Sequence, residues 1–299
     1  MSAHMSALGD IIAEELDRPA MAEARVVADA ILARHGDRVA AVLFYGSCLR
    51  TGDAAGILDL YVLTDSPHAY HGRAWPALLD AALPPTVSYL EVPGPSGTVR
   101  AKVAVMSTAA FARAVRGQGI DTTVWARFCQ PAALLHARDA AGRAAVVDAV
   151  ARAVVTAAGW AVLLGPEGGT PADLWTALFR HTYGAELRAE RGDRPHHIYE
   201  WAAARYDRLL PLALAGTPPP RGRASARRRW LLRRWLGKGL NLLRLVKAAF
   251  TFENGVDYIL WKLERHAGRP VRITGWQRRH PILAAPALLL RLWREGAIR

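Results

Sequence analysis

Apolar positions along the chain change period part-way. Between Arg38 and Met106 they come in short runs separated by turn-formers, as strands do. Four such runs are RVAAVLFYG (38–46), ILDLYVLT (57–64), TVSYLEV (86–92) and VRAKVAVM (99–106). PGPSGT between the last two predicts a hairpin, and AWPALLDAAL before the third predicts a short helix. MAEARVVADAILARHG, from Met21 to Gly36, has helical spacing closed by a glycine. From Ala109 to Leu214 the spacing is mostly helical, in TAAFARAVRG, TTVWARFCQPAALL, GRAAVVDAVARAVVTAAGWAVLL, PADLWTALFRHTYGAEL and HHIYEWAAARYDRLLPLAL. AGTPPPRGRASARRR then predicts a linker, and WLLRRWLGKGLNLLRLVKAAFTF beyond it interleaves Trp, Leu and Arg/Lys. The expected organisation is a mixed α/β sheet domain over 1–108, a mainly helical domain over 109–215, a linker over 216–226 and a basic amphipathic region over 227–299.

Composition sharpens this picture at two points. With 299 residues, 52% of them hydrophobic, a sizeable core is expected. Two cysteines, Cys48 and Cys129, are too few for a disulfide framework and read as reduced residues. The first twenty residues carry Asp10, Glu14, Glu15 and Asp17 and no basic leader, so no signal peptide is expected. No uninterrupted apolar run reaches the roughly 18 residues that span a bilayer. Charge is divided unevenly. From Pro219 onward there are 19 Lys and Arg against 4 Asp and Glu, a net +15, whereas the residues before it hold 20 basic and 22 acidic, a net −2. A basic end next to a near-neutral body predicts contact with an anionic surface, either membrane or nucleic acid.

The candidate chemistry lies in LFYGSCLRTGDAAGILDLYVLTD, from Leu43 to Asp65. A strand ends in Gly46-Ser47, and the next strand carries Asp59 between Leu58 and Leu60. A carboxylate in such a run costs several kcal/mol unless a partner or a metal offsets it. Gly46 lets backbone approach a phosphate, Ser47 offers a hydroxyl and an N–H, and Asp59 suits Mg²⁺ bound to a triphosphate. This is the layout of a nucleotidyltransferase palm. The usual second carboxylate, two residues further on, is replaced by Tyr61, and Glu91 on the third strand is the candidate for the remaining metal ligand.

These residues also resemble a known family. Tyr45, Gly46, Ser47, Leu58 and Asp59, followed by Asp65, Pro67, Ala69, Tyr70 and His71, are similar to the motifs of the mitochondrial translocator assembly and maintenance protein family, which makes CDP-diacylglycerol. RAKVAVMS resembles its lysine-bearing strand, at Lys102. WARFCQPAALL resembles its Arg-x-x-basic-Pro helix start, at Arg127 and Pro131, with Gln130 in place of the basic residue. The segment ending in Tyr183, Glu186 and Arg188 resembles its Tyr-x-x-acidic-x-Arg helix. The likeness runs in order from Phe44 to Leu214, and the family too lacks the second strand carboxylate. It implies a Mg²⁺-dependent transfer of CMP from CTP to phosphatidate, releasing pyrophosphate. Asp59, Ser47 and Lys102 would be catalytic, with Tyr45, Gly46, Ser47 and Arg127 on the nucleotide. His71, Tyr183 and Arg188 would contact substrate, and Asp59 and Glu91 would hold the metal. Read without the resemblance, Lys102 and Arg127 are equally consistent with surface ion pairs, and His71 with a histidine at a helix start.

In the basic region, Trp230, Arg233, Arg234, Trp235 and Lys238 form the mixture that an interfacial helix presents to an anionic membrane. Phosphatidate is itself a membrane lipid, so a peripheral enzyme on the cytoplasmic side of the inner membrane is expected. Two other classes stay open. One is a nucleotidyltransferase acting on a small metabolite or an RNA end; the other is a non-enzymatic RNA-binding protein on a transferase scaffold, with Arg and Trp meeting phosphates and bases. A duller reading packs the leucines into a helical domain and leaves the arginines solvated.

Overall fold

The computed structural model describes residues 3–72, 74–95, 97–185, 194–215, 222–251, 264 and 274–279. β1 (Ala41–Tyr45) is buried at every residue, and β2 (Leu58–Thr64) is buried at every residue except Asp59. Such continuous burial belongs to strands covered on both faces, which explains why these runs do not alternate. β3 (Thr86–Gly94) and β4 (Gly97–Ser107) form the expected hairpin, and β5 (Ala133–Ala137) adds an edge. The strand order is β3-β4-β2-β1-β5, with β2 and β4 parallel and the other neighbours antiparallel. The fold is mixed α/β: one five-stranded mixed sheet with helices on both faces.

α2 (Ala22–His35) covers one face, where its Ala24, Val27, Ala28 and Ile31 meet Val42, Phe44, Leu60, Val62, Val103 and Val105. The other face packs on a helical layer. Leu43, Tyr61, Leu63, Ala104 and Met106 meet α1 (Ala3–Leu16), α6 (Thr108–Ala114), α7 (Thr123–Phe128), α8 (Ala140–Leu164), α9 (Pro171–Ala185) and α11 (Ala203–Leu214). α8 lies at the centre and touches α1, α7, α9, α11 and α12 (Arg223–Thr251). By length and composition α8 is apolar enough to cross a bilayer, contrary to the reading of the uninterrupted runs. More than half of its most apolar stretch is buried inside the protein, as befits a core helix.

Three sequence expectations change. TTVWARFCQPAALL is not one helix: α7 stops at Phe128, Pro131 follows, and Ala133–Ala137 pairs with β1. The residue before a proline is pushed out of helical geometry, which frees the chain to extend. The residues taken for the end of the linker, from Arg223, already belong to α12. α1, unmarked in the pattern, is a helix whose Leu8, Ile12 and Leu16 are fully buried against the helical layer. It is tied down by Glu15, whose carboxylate accepts from Arg205 Nη2 at 3.1 Å and from Arg205 Nε, while Arg205 Nη1 donates to Cys129 O at 2.8 Å. Both partners are buried.

α12 sits on the helical layer with an inverted distribution of charge. Trp230, Arg233 and Lys247 are 3%, 4% and 6% exposed, whereas Trp235 is 77% exposed and Leu231, Leu232, Leu242, Leu243 and Val246 are each more than half exposed. Trp230 and Arg233, expected at a membrane surface, therefore face the protein. Trp230 packs on Trp125 and Trp160, and acceptors beneath the helix draw in its cations. Arg223 Nη1 donates to Gly165 O, just past α8, at 2.5 Å. Arg233 Nη2 donates to Gly117 O and to Gly119 O (2.8 Å), beyond the end of α6. Lys247 Nζ donates to Leu83 O at 2.6 Å and Pro85 O at 2.9 Å, beyond α5 (Ala74–Ala82). Helix C-terminal ends expose carbonyls and a partial negative charge, which cations complement. One basic helix thus bonds to the carbonyls that end α8, to those at and just past the end of α5, and to the loop after α6.

Candidate active site

Strand register assembles the site. Across the sheet, Tyr45 is opposite Asp59, Asp59 is opposite Lys102, and Lys102 is opposite Tyr89. Register partners project to the same face of a sheet, here the face of the helical layer. Asp59 and Lys102 are half-buried, and Tyr45 is buried between Tyr61 and Phe128, with ring centroids at 5.7 and 5.5 Å.

After β1 the chain turns at Gly46, whose φ of +95° is a conformation that side-chain-bearing residues rarely adopt. A Cβ built there would stand 2.7 Å from Asp59 Oδ2 and 3.2 Å from Asp59 Cβ. The Asp59 carboxylate therefore lies directly against the glycine turn, and glycine is required both for conformation and for space. Ser47 follows as an exposed residue at the start of α3 (Ser47–Thr51).

Tyr61 occupies the position two residues beyond Asp59 on the same face. It is 1% exposed and rings itself with Phe128 (5.2 Å), Tyr45 and Phe111 (6.2 Å). Burial pushes its phenol up to about 12, against the opposing pull of the Arg127 guanidinium. A carboxylate at 61 would be immersed in aromatic rings, so this position is part of the core. Arg127 belongs to α7, which packs on the same face of the sheet as Asp59, and its Nη1 donates to Thr123 O at 3.1 Å.

The structure separates the other expected residues. Glu91 is opposite Arg100 on the β3–β4 hairpin, two strands from Asp59. Its carboxylate accepts from Arg100 Nε at 3.1 Å and from the Tyr89 hydroxyl at 2.8 Å. Burial and that carboxylate raise the Tyr89 phenol. His71 ends α4 (Pro67–His71), beyond the far end of β2. At about 3.3 Å per residue, β2 alone separates that end from Asp59 by roughly 17 Å. There Tyr70 stacks on His35 at 3.9 Å, on the α2 side of the sheet. Tyr183 lies on α9, partly buried against the helical core. Glu186 and Arg188 lie outside the described residues.

Sequence reasoning passed over Tyr89, which the hairpin delivers to the row. Counting equally outward from Gly94 and Gly97 pairs Tyr89 with Lys102, so the turn itself carried the signal. It also passed over Asp121 and Arg244, whose charges register at Tyr61. Arg244 Nη2 donates to Asp121 Oδ2 at 2.6 Å and its Nε to Pro84 O at 3.0 Å. Burial alone would raise the Asp121 carboxyl, but the Arg244 hydrogen bond and charge hold it below its usual value.

No protein-family model matches the chain, and no curated protein does.

Among the described residues no group of three or more His, Cys, Asp or Glu could hold a metal. One carboxylate against a glycine turn is nevertheless a workable Mg²⁺ site, because that ion commonly takes one or two carboxylates and completes its shell with substrate phosphates and water.

Proposed function

We propose that the chain is a nucleotidyltransferase that moves CMP from CTP onto phosphatidate at a membrane surface, with Mg²⁺. The observation that carries this reading is the contact between the Asp59 carboxylate and Gly46, in register with Tyr45 and Lys102. A bare backbone turn beside one acidic and one basic side chain is what a metal-bound triphosphate needs. The nucleotidyltransferase-like character of the sheet domain belongs to the same proposal.

In this reading a phosphatidate oxygen attacks the α-phosphorus of CTP, the bond to the β-phosphate oxygen breaks, and pyrophosphate leaves. The nucleophile is a phosphate monoester, largely ionised near neutral pH, so no strong general base is required. Catalysis rests on positioning and on charge stabilisation. Gly46 and Ser47 would bring main-chain groups against the phosphates, and Asp59 would hold the metal. Lys102 and Arg127 would oppose charge on the triphosphate or on the lipid head. Bound Mg²⁺ supplies neutralisation of the charge that builds on pyrophosphate. Tyr61 keeps the neighbouring position uncharged, so fewer carboxylates repel the anionic acceptor.

The exposed side of α12 fits the lipid partner. Trp235, Leu231, Leu232 and Leu242 stand out from the protein beside Arg227, Arg228, Arg234 and Lys238, and no acidic residue occurs in Arg223–Thr251. That aliphatic content favours an anionic bilayer over RNA.

The test is incubation of the full chain with α-labelled CTP, Mg²⁺ and vesicles with or without phosphatidate. Label should enter lipid only where phosphatidate is present. Pyrophosphate release without labelled lipid would transfer the reading to another acceptor, and neither product would end it.

A further inference from the structure

Arg233 carries a charge into the protein interior with no ion pair to an acid among the described residues. Its guanidinium lies over the Trp160 ring, 4.4 Å from the centroid, and 5.9 Å from that of Trp230. Nη2 donates to the Gly117 and Gly119 carbonyls, but Nη1 is buried with no acceptor among the described residues. Among the described residues, the carboxylate whose charge registers there is that of Asp121. Asp121 is already held by Arg244 and Thr123. Burial accordingly pulls the guanidinium down to about 10.

Two further donors share this neighbourhood. The indole Nε1 atoms of Trp125 and Trp230 are buried without acceptors among the described residues, and the two rings are 6.3 Å apart, edge to face. Gly117 joins them to Arg233: a Cβ built there would stand 3.6 Å from Trp125 Nε1, while its carbonyl accepts from Arg233. Three buried N–H groups lacking acceptors are rare in one small region, because each lost hydrogen bond costs about 1–3 kcal/mol. All three are donors, and one carries a charge.

We propose that Arg233, Trp125 and Trp230 form a buried binding site for a small monatomic anion, with chloride as the physiological ligand. A single water has two lone pairs and brings two protons of its own, so it satisfies two donors and needs two acceptors. A halide accepts from all three and supplies the missing negative charge. Indole edges, where the N–H lies, are the positive part of the ring and suit an anion. All three donors are buried, which favours a compact ion over a phosphate with its four oxygens. The site ties α12 to the loop after α6 and does not depend on any reading of Asp59.

The deciding experiment is crystallography of the full chain in bromide, reading anomalous scattering. A peak in contact with Arg233 Nη1 and the two indole N–H groups is expected. Thermal unfolding supports it: at equal ionic strength the melting temperature should be about 3 °C higher in chloride or bromide than in gluconate. Trp230→Phe, which keeps a ring and removes one donor, should lose at least half of that increment. Bromide peaks only elsewhere overturn the proposal, whatever the melting curves do. A halide increment undiminished in Trp230→Phe also overturns it, because the ion would then act at another place.

Discussion

Charged side chains differ in accessibility between the Asp59 end of the sheet and the inside of the helical layer. In the helical layer, Glu15 is buried against Arg205, Asp121 is held by Arg244, Lys247 meets three carbonyls and Arg233 meets two. At the Gly46 turn, Asp59 on the otherwise buried β2 and Lys102 on the neighbouring β4 are half-buried, and the Asp59 carboxylate lies against glycine backbone. Ions kept in an interior cost several kcal/mol unless partners fix them, and the Asp59 carboxylate differs in being partly accessible. The contrast also divides the basic residues. Those on the inner side of α12 bond to the rest of the fold, and those on its outer side are exposed.

Breaking the inner pairs should have the largest effect. Glu15→Gln strands the buried Arg205 and should cost about 3–5 kcal/mol of stability, read as a lower urea midpoint. Nucleotidyl transfer by the surviving folded fraction should be unchanged per molecule. Gly46→Ala attacks the other region. Its Cβ would collide with Asp59 Oδ2, and its φ of +95° suits glycine. Activity should fall by about 100-fold or more, since misplacing a reacting centre by about 1 Å has that consequence.

Lys247 sharpens the comparison through pH. Burial lowers its ammonium to about 8, with Asp80 pulling the other way. An unfolded lysine keeps its proton to about pH 10.4. Between the two values the unfolded state binds more protons, so stability rises with pH. From about pH 7.5 to about pH 9.5 the wild type should gain about 1–2 kcal/mol on Lys247→Met, measured by urea unfolding at both pH values. A gap that stays constant would mean that Lys247 is not held in the interior. The smallest effect belongs to the outer side of α12. Lys238→Ala should leave stability within about 0.5 kcal/mol. It should weaken binding to anionic vesicles about five-fold, the roughly 1 kcal/mol of one basic residue at such a surface.

Much of the sheet is legible in the sequence. The four runs, the hairpin and the Gly46–Asp59 opposition follow from local pattern and turn chemistry. β5 is not legible, because Ala133–Ala137 is as apolar and short as a helix end, and only pairing with β1 decides its state. α12 shows the limit more clearly. Arg, Trp and Leu repeat with helical period on both of its sides, so period alone cannot say which side docks. The deciding acceptors, at Gly117, Gly165 and Leu83, are distant in sequence and meet α12 only in the folded chain. The same blindness placed His71 near Asp59, since sequence proximity along β2 does not reveal that the strand carries the chain to the other end of the sheet.

The most direct test of the Asp59 site is the lipid-labelling reaction with Asp59→Asn beside the wild type, each first shown to unfold at the same temperature. The substitution keeps shape and removes charge. The account predicts phosphatidate-dependent labelled lipid from the wild type and a loss of about 100-fold or more in Asp59→Asn, with folding intact. Labelled lipid formed equally by both proteins would contradict it, because the carboxylate against Gly46 would then have no part in the reaction.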